Sequence, residues 1–191
     1  MRTAPVDWSR LVTIYDDLRR DYGRWCEQNR IYWLNSCVYA FEFAAAFRNY
    51  LGAPDHFRDE GTRHPYVEAC KVVADQDTNK QHFESTELYD LLTRGDDGVF
   101  TFGVTVVMEI EPNAFPKEPF GFTIGMLPRD DKCTMTIAGR RFEINMSDDQ
   151  ARLPAYQHMV TILQKWLRSK PWNVERSESN IGFVQFGADR P

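Results

Sequence analysis

No stretch of this chain approaches the ~18–20 uninterrupted apolar residues that a membrane-spanning helix requires. Its start, MRTAPVDW, has neither an apolar core region nor a small-residue cleavage site, so a cytoplasmic location is expected. Cysteine is scarce. Cys26, Cys37, Cys70 and Cys133 stand far apart with no C-x-x-C pair, which argues against a zinc knuckle or a thioredoxin-type redox motif and leaves buried free thiols as the expectation. Nor is there a basic excess: at a formal net charge of -5 the chain lacks the clustered Lys and Arg that phosphate neutralisation needs, which speaks against a nucleic-acid partner. The arginines between Arg10 and Arg30 are interleaved with Asp16, Asp17, Asp21 and Glu27, as on a solvated helix face. Internal repeats, linkers and low-complexity segments are also missing, so residues 1–191 are read as one domain.

What is there is apolar material in periodic order. A chain of 191 residues with 42% hydrophobic content can bury a sizeable core and is not expected to be disordered. Trp8, Leu11, Val12, Tyr15, Leu18, Tyr22, Trp25 and Cys26 recur at three- and four-residue steps, the stripe of an amphipathic helix. Leu34, Cys37, Val38, Phe41, Ala44, Ala45 and Phe47 continue the pattern until Gly52 and Pro54 close it. One helix through all of this would run ~65 Å, so a helical pair over about 5–52 is preferred. Residues 53–64, APDHFRDEGTRH, read as a charged loop. The next run, PYVEACKVVAD, suits a helix start through Pro65 and a strand through its valines, and is read as a strand. Ser85 is expected to cap a short helix through Leu92.

From Val99 the period becomes two. Phe100, Phe102, Val104, Val106, Met108 and Ile110 share one face, as do Phe120, Phe122, Ile124 and Met126, then Cys133, Met135 and Ile137, then Phe142, Ile144 and Met146. Short turns join these runs, which predicts an antiparallel meander with one buried face. Ser147 with Gln150 forms a capping pattern for a helix over Tyr156, Met159, Val160, Leu163, Trp166 and Leu167, with Pro154 as the alternative first turn. The tail IGFVQFG offers a short edge strand. The fold class expected is α+β: a meander of four to six strands packed against the N-terminal helical pair and a long C-terminal helix.

The other face of the meander carries small side chains. Thr101, Gly103, Thr105 and Glu109 share it with Gly121, Thr123 and Gly125, and Thr134 and Thr136 extend it. Three glycines on one face call for close approach of something, either a ligand on a shallow surface edged by Glu109, Glu111, Arg141 and Glu143, or one of the protein's own helices. The alanine-rich FEFAAAF segment is the expected cover, because covering a sheet internally is the commoner use of such a face.

His56, Asp59, Glu60 and His64 fall within nine positions, and nitrogen and carboxylate ligands of this kind suit zinc or iron, although their spacing matches no defined signature. The acidic pairs Asp96–Asp97, Asp130–Asp131 and Asp148–Asp149 sit where turn and cap residues belong. His158 lies off the apolar stripe of its helix and is expected to face solvent.

In residues 98–124, GVFTFGVTVVMEIEPNAFPKEPFGFTI, a Gly-led strand is followed by an aromatic-Pro turn and a further Pro before the next strand. This is similar in outline to the meander of ubiquitin-conjugating enzymes and their inactive relatives. The His-Pro-Asn signature of that family is missing, and Cys133 falls in a strand where the family would not place a catalytic cysteine. No functional residue is carried over.

The function expected is that of a non-enzymatic cytosolic binding protein, an inhibitor, immunity or accessory factor. It would recognise a protein or small molecule through the small-sided face or the acidic loops. The first alternative is an enzyme, metal-dependent or not, using His56, His64, Glu109 and Glu111. The second is a structural subunit that forms a homodimer through the Gly/Thr face.

Overall fold

Helix α1 runs unbroken from Ile14 to Leu51 in the computed structural model, where a helical pair was expected. The structure describes residues 13–74, 81–112, 114–169 and 181–183, the last for their backbone alone. Trp8, Leu11 and Val12 lie outside them. Gly23 does not divide α1, since an interior glycine costs only ~1 kcal/mol relative to alanine. Thr13 and Asp16 close its N-terminus reciprocally: Thr13 Oγ1 accepts from Asp16 N at 3.2 Å, and Asp16 Oδ2 accepts from Thr13 N at 3.3 Å. At the other end Gly52 takes the left-handed conformation at φ 65°. Ala53 N then reaches Arg48 O at 3.1 Å and Gly52 N reaches Asn49 O at 3.1 Å, the paired bonds of a Schellman stop. The chain divides into two compact units, Met1–Ser36 and Cys37–Pro191, with the division inside α1.

In the first unit, the described residues form only the N-terminal part of α1. Four i,i+3 ion pairs line it: Asp16–Arg19, Asp17–Arg20, Asp21–Arg24 and Glu27–Arg30. Ile14, Tyr15, Leu18, Tyr22, Trp25 and Ile31 are exposed, while Tyr32, Trp33 and Leu34 are half-buried.

The second unit is built on an eight-stranded sheet. Strands β3 (Val67–Ala74), β4 (Gln81–Glu84), β6 (Phe100–Met108), β7 (Glu118–Arg129), β8 (Lys132–Ile137) and β9 (Arg140–Asn145) follow the spatial order β4-β3-β6-β7-β8-β9. Two short strands, β5 (Thr93–Arg94) and β10 (Ile181–Phe183), add to β6 and β7. All pairings are antiparallel. PYVEACKVVAD thus resolves as a strand, and part of the tail as an edge strand.

Parity holds along the meander. Phe100, Phe102, Val104, Val106, Phe120, Phe122, Ile124, Met126, Met135, Ile137 and Ile144 are all buried, and the register sets Val104 beside Phe122 and Phe102 beside Ile124. The row stops sooner than expected: Met108 is partly exposed and Ile110 is 84% exposed, because β6 ends at Met108. Two helical segments cover the bulky face. Phe43 of α1 meets Phe102 edge-on at 6.4 Å, and Trp166 of α2 (Leu153–Arg168) meets Phe120 at 4.8 Å. Tyr156 lies between Phe43 and Phe47, at 4.9 and 5.3 Å, and its hydroxyl donates to Phe43 O at 3.2 Å. The FEFAAAF segment therefore packs on the bulky face, not on the glycine face, since only the bulky face offers large apolar area to match its phenylalanines.

Local elements differ from expectation in three places. The expected loop over 53–64 instead carries most of a hairpin, β1 (His56–Asp59) and β2 (Thr62–Pro65), turning on Glu60 and Gly61, both at positive φ. Residues 88–90 make a single 3-10 turn that Ser85 does not cap. Asp148, not Ser147, caps the entry to α2 by accepting from Gln150 N at 2.9 Å, and Pro154 sits in the first turn of α2.

Candidate functional site

Strand β4 supplies the cover of the glycine face. Its Phe83 is buried against Cys70, with Val72 packed on the pair. A Cβ added at Gly103 would lie 2.8 Å from Phe83 Cε1 and 2.7 Å from Cys70 Sγ, and one at Gly121 would lie 2.6 Å from Phe83 Cδ2. Real Cβ contacts are never that short, so glycine at both positions makes room for one phenyl ring. Around it, Thr105 is buried and Thr123 Oγ1 donates to Gln81 Oε1 at 2.6 Å. Thr101 pairs with Thr93 of β5, and Gly125 with Thr136 of β8. Arg141 is exposed and faces Glu143 at 3.5 Å. The middle of this face is thus a second, smaller core of the protein's own.

Glu109 and the 56–65 hairpin do come together, but through residues the sequence did not single out. Lys117, only 6% exposed, forms a close ion pair with Glu109 at 15% exposure, and Glu109 Oε2 also accepts from Tyr66 Oη at 2.8 Å. The Lys117 ammonium lies 4.8 Å from the centroid of Phe57, 5.1 Å from Phe115 and 5.3 Å from Tyr66. Burial pulls its pKa down, but the hydrogen bonds to Glu109 and Tyr66 outweigh it and leave the group raised. A lysine held charged in an aromatic enclosure with its carboxylate satisfied is a clamp between hairpin and sheet, and supplies neither a free base nor a nucleophile. Glu111 is exposed.

The hairpin register separates the metal candidates. Phe57 pairs with His64 and His56 with Pro65, so alternation puts His56 and His64 on opposite faces. His64 stacks on Phe57 at 5.4 Å, Asp59 pairs with Thr62 near the turn, and Glu60 is a turn residue at φ 48°. Among the described residues, no three His, Cys, Asp or Glu side chains stand close enough to hold a metal ion.

A cleft of about 230 Å³ opens between α1 and the β3 edge, lined by Ala44, Arg48, Val67, Glu68, Ser85 and Thr86 among others. Burial raises the Glu68 carboxyl, against the opposing effects of Ser85, which donates at 3.3 Å, and of His64. Arg48 is committed to Asp55 at 3.2 Å. The cleft is smaller than the ~300–1,000 Å³ usual for small-molecule sites. Arg152, at the entry to α2, is buried over the Tyr39 ring at 5.0 Å and paired to Asp149 at 3.3 Å. Burial, the largest influence, pushes the Tyr39 hydroxyl up to about 12. His158 does not face solvent freely: its ring lies 5.5 Å from Phe142 and its Nε2 is buried without a partner.

A run of exposed apolar side chains lies in the first unit. Ile14, Tyr15, Leu18, Tyr22 and Trp25 of α1 are 57–82% exposed. At 100° per residue all five fall within an arc of about 100°, the width of a stripe that normally faces a core. Tyr22 and Trp25 stack at 6.0 Å, and Arg20, Arg24 and Glu27 lie on the opposite side. Tyr15, Leu18, Tyr22 and Trp25 were legible as an apolar stripe, but their exposure was not. Phe83 carried a signal too, as the lone large apolar side chain in DQDTNKQHFES; Lys117 carried none. No family model matches the chain, no curated protein is similar to it, and no solved structure matches its fold.

Proposed function

We propose that this chain is a non-enzymatic binding protein whose docking element is the exposed stripe of α1, engaging the apolar face of another helix. One observation carries this reading: five large apolar side chains lie on a single helix face with more than half of each in water. A helix laid against such a row gains apolar burial at regular i, i+3, i+4 and i+7 anchors. The sheet side of the molecule offers less, since its glycine face is filled by Phe83 and its lysine-glutamate pair is enclosed. We place the protein in the cytoplasm, a reading supported by its four free cysteines. No described helix is long and apolar enough to cross a membrane.

The test is site-specific photo-cross-linking from position 22 in cell extract. The proposal expects a protein adduct that disappears when Leu18→Glu is added. An adduct indifferent to Leu18→Glu, or none, overturns it.

A further inference from the structure

We infer that the partner helix is the same segment of a second copy of this chain, so that the protein pairs through residues 14–25 of α1. The inference rests on the docking role proposed for the stripe and adds the identity of its occupant. Tyr15, Leu18, Tyr22 and Trp25 follow steps of three, four and three, the a/d spacing of a coiled-coil seam, and Ile14 borders it.

Area gives the first argument for a second copy. At 57–70% exposure, and with ~150–250 Å² for each aromatic side chain, Tyr15, Tyr22 and Trp25 alone present roughly 300–500 Å², and Ile14 and Leu18 add to it. A stable interface takes about 800 Å² from each partner. Two copies meeting on this stripe therefore supply well over half of what a dimer requires, each contributing the same patch, as a two-fold axis demands.

Charge gives the second. The acids of this stretch of α1, Asp16, Asp17, Asp21 and Glu27, are matched one for one by Arg19, Arg20, Arg24 and Arg30, each three residues on. Four negative and four positive charges leave this stretch neutral, although the whole chain carries -5. A neutral stretch of helix does not repel its own copy, and it gives no preference to a strongly acidic or basic partner. Area and charge balance together are compatible with a second copy of the same helix.

The experiment is sedimentation velocity of the full chain across a hundredfold concentration range. The inference expects a species of twice 22.3 kDa at the upper end, stable to added salt because the seam is apolar. Leu18→Glu with Trp25→Glu should shift the chain to monomer. Tyr22→Ala with Trp25→Ala, which keeps good helix formers in place, should raise the dissociation constant at least about tenfold. Arg20→Glu, on the opposite side, should leave the dimer intact. A dimer that survives both stripe variants overturns the placement. A wild-type chain that stays monomeric overturns the second copy as occupant. In that case an extract cross-link from position 22 to a different protein, lost with Leu18→Glu, leaves the docking role standing, and the absence of any cross-link removes both.

Discussion

Replacing Gly121 by alanine tests what fills the glycine face. The new methyl carbon would lie 2.5 Å from Phe83 Cζ and 2.6 Å from its Cδ2, where carbon atoms normally rest ~3.5–4.0 Å apart. The ring must retreat by about 1 Å, and it is buried against Cys70 and Val72, so the move strains a packed cluster. Overpacking of this kind costs ~1–3 kcal/mol, which in a unit of this size lowers the melting temperature by roughly 2–4 °C per kcal/mol. Phe83→Ala alone should cost ~3–5 kcal/mol. Once the ring is gone the methyl at position 121 has room, so Gly121→Ala should be close to neutral in the Phe83→Ala background, with a coupling of ~1–3 kcal/mol between the sites. Urea unfolding of the wild type, the two single variants and the double variant, followed by far-UV circular dichroism, measures all four terms. An equal cost for Gly121→Ala in both backgrounds would show that Phe83 does not occupy the face.

The buried Lys117–Glu109 pair leads to a second expectation: Lys117→Ala strands a carboxylate and should cost ~3–5 kcal/mol, while Lys117→Met combined with Glu109→Gln should recover most of it. A single-variant loss under ~1 kcal/mol in chemical denaturation refutes the enclosure. Burial raises the Glu68 carboxyl in the folded chain, so above the ordinary carboxylate range the native state holds a proton the unfolded state has lost, and stability falls as pH rises through that window. Glu68→Gln should therefore stabilise the protein at neutral pH, with the gain fading once the pH drops below the usual carboxylate value. A difference that does not change with pH contradicts the assignment. Burial, the leading cause in each case, raises the thiols of Cys37, Cys70 and Cys133, the last to about 12. Cys26 is only partly buried, so an aromatic disulfide reagent should titrate one thiol rapidly and three only on unfolding. More than one fast thiol in the native protein sinks that reading.

The meander was legible because a strand sends successive side chains to opposite faces. The alternation of Phe100, Phe102, Val104 and Val106 with Thr and Gly states which side is buried before any partner is known. The end of α1 was equally plain, since Gly52 and Pro54 admit no continuation. The hairpin at 56–65 was not, because its charged residues resemble any polar loop, and only the pairing of Phe57 with His64 gives it an inside. Lys117 is a similar case: nothing local marks a lysine that two rings from distant segments, Phe57 and Tyr66, will meet.

Periodicity along the chain, then, determined which residues share a face, and turn chemistry determined where elements stop. Tertiary structure alone decided what each face meets. It assigned FEFAAAF to the phenylalanine row, set one ring of β4 over two glycines, and left the Tyr15–Trp25 stripe in water. The reason is that period is written in local backbone geometry, whereas burial depends on which surfaces from remote parts of the chain arrive together. A helical stripe shows that a face seeks apolar contact, and the identity of the surface that answers it is set elsewhere.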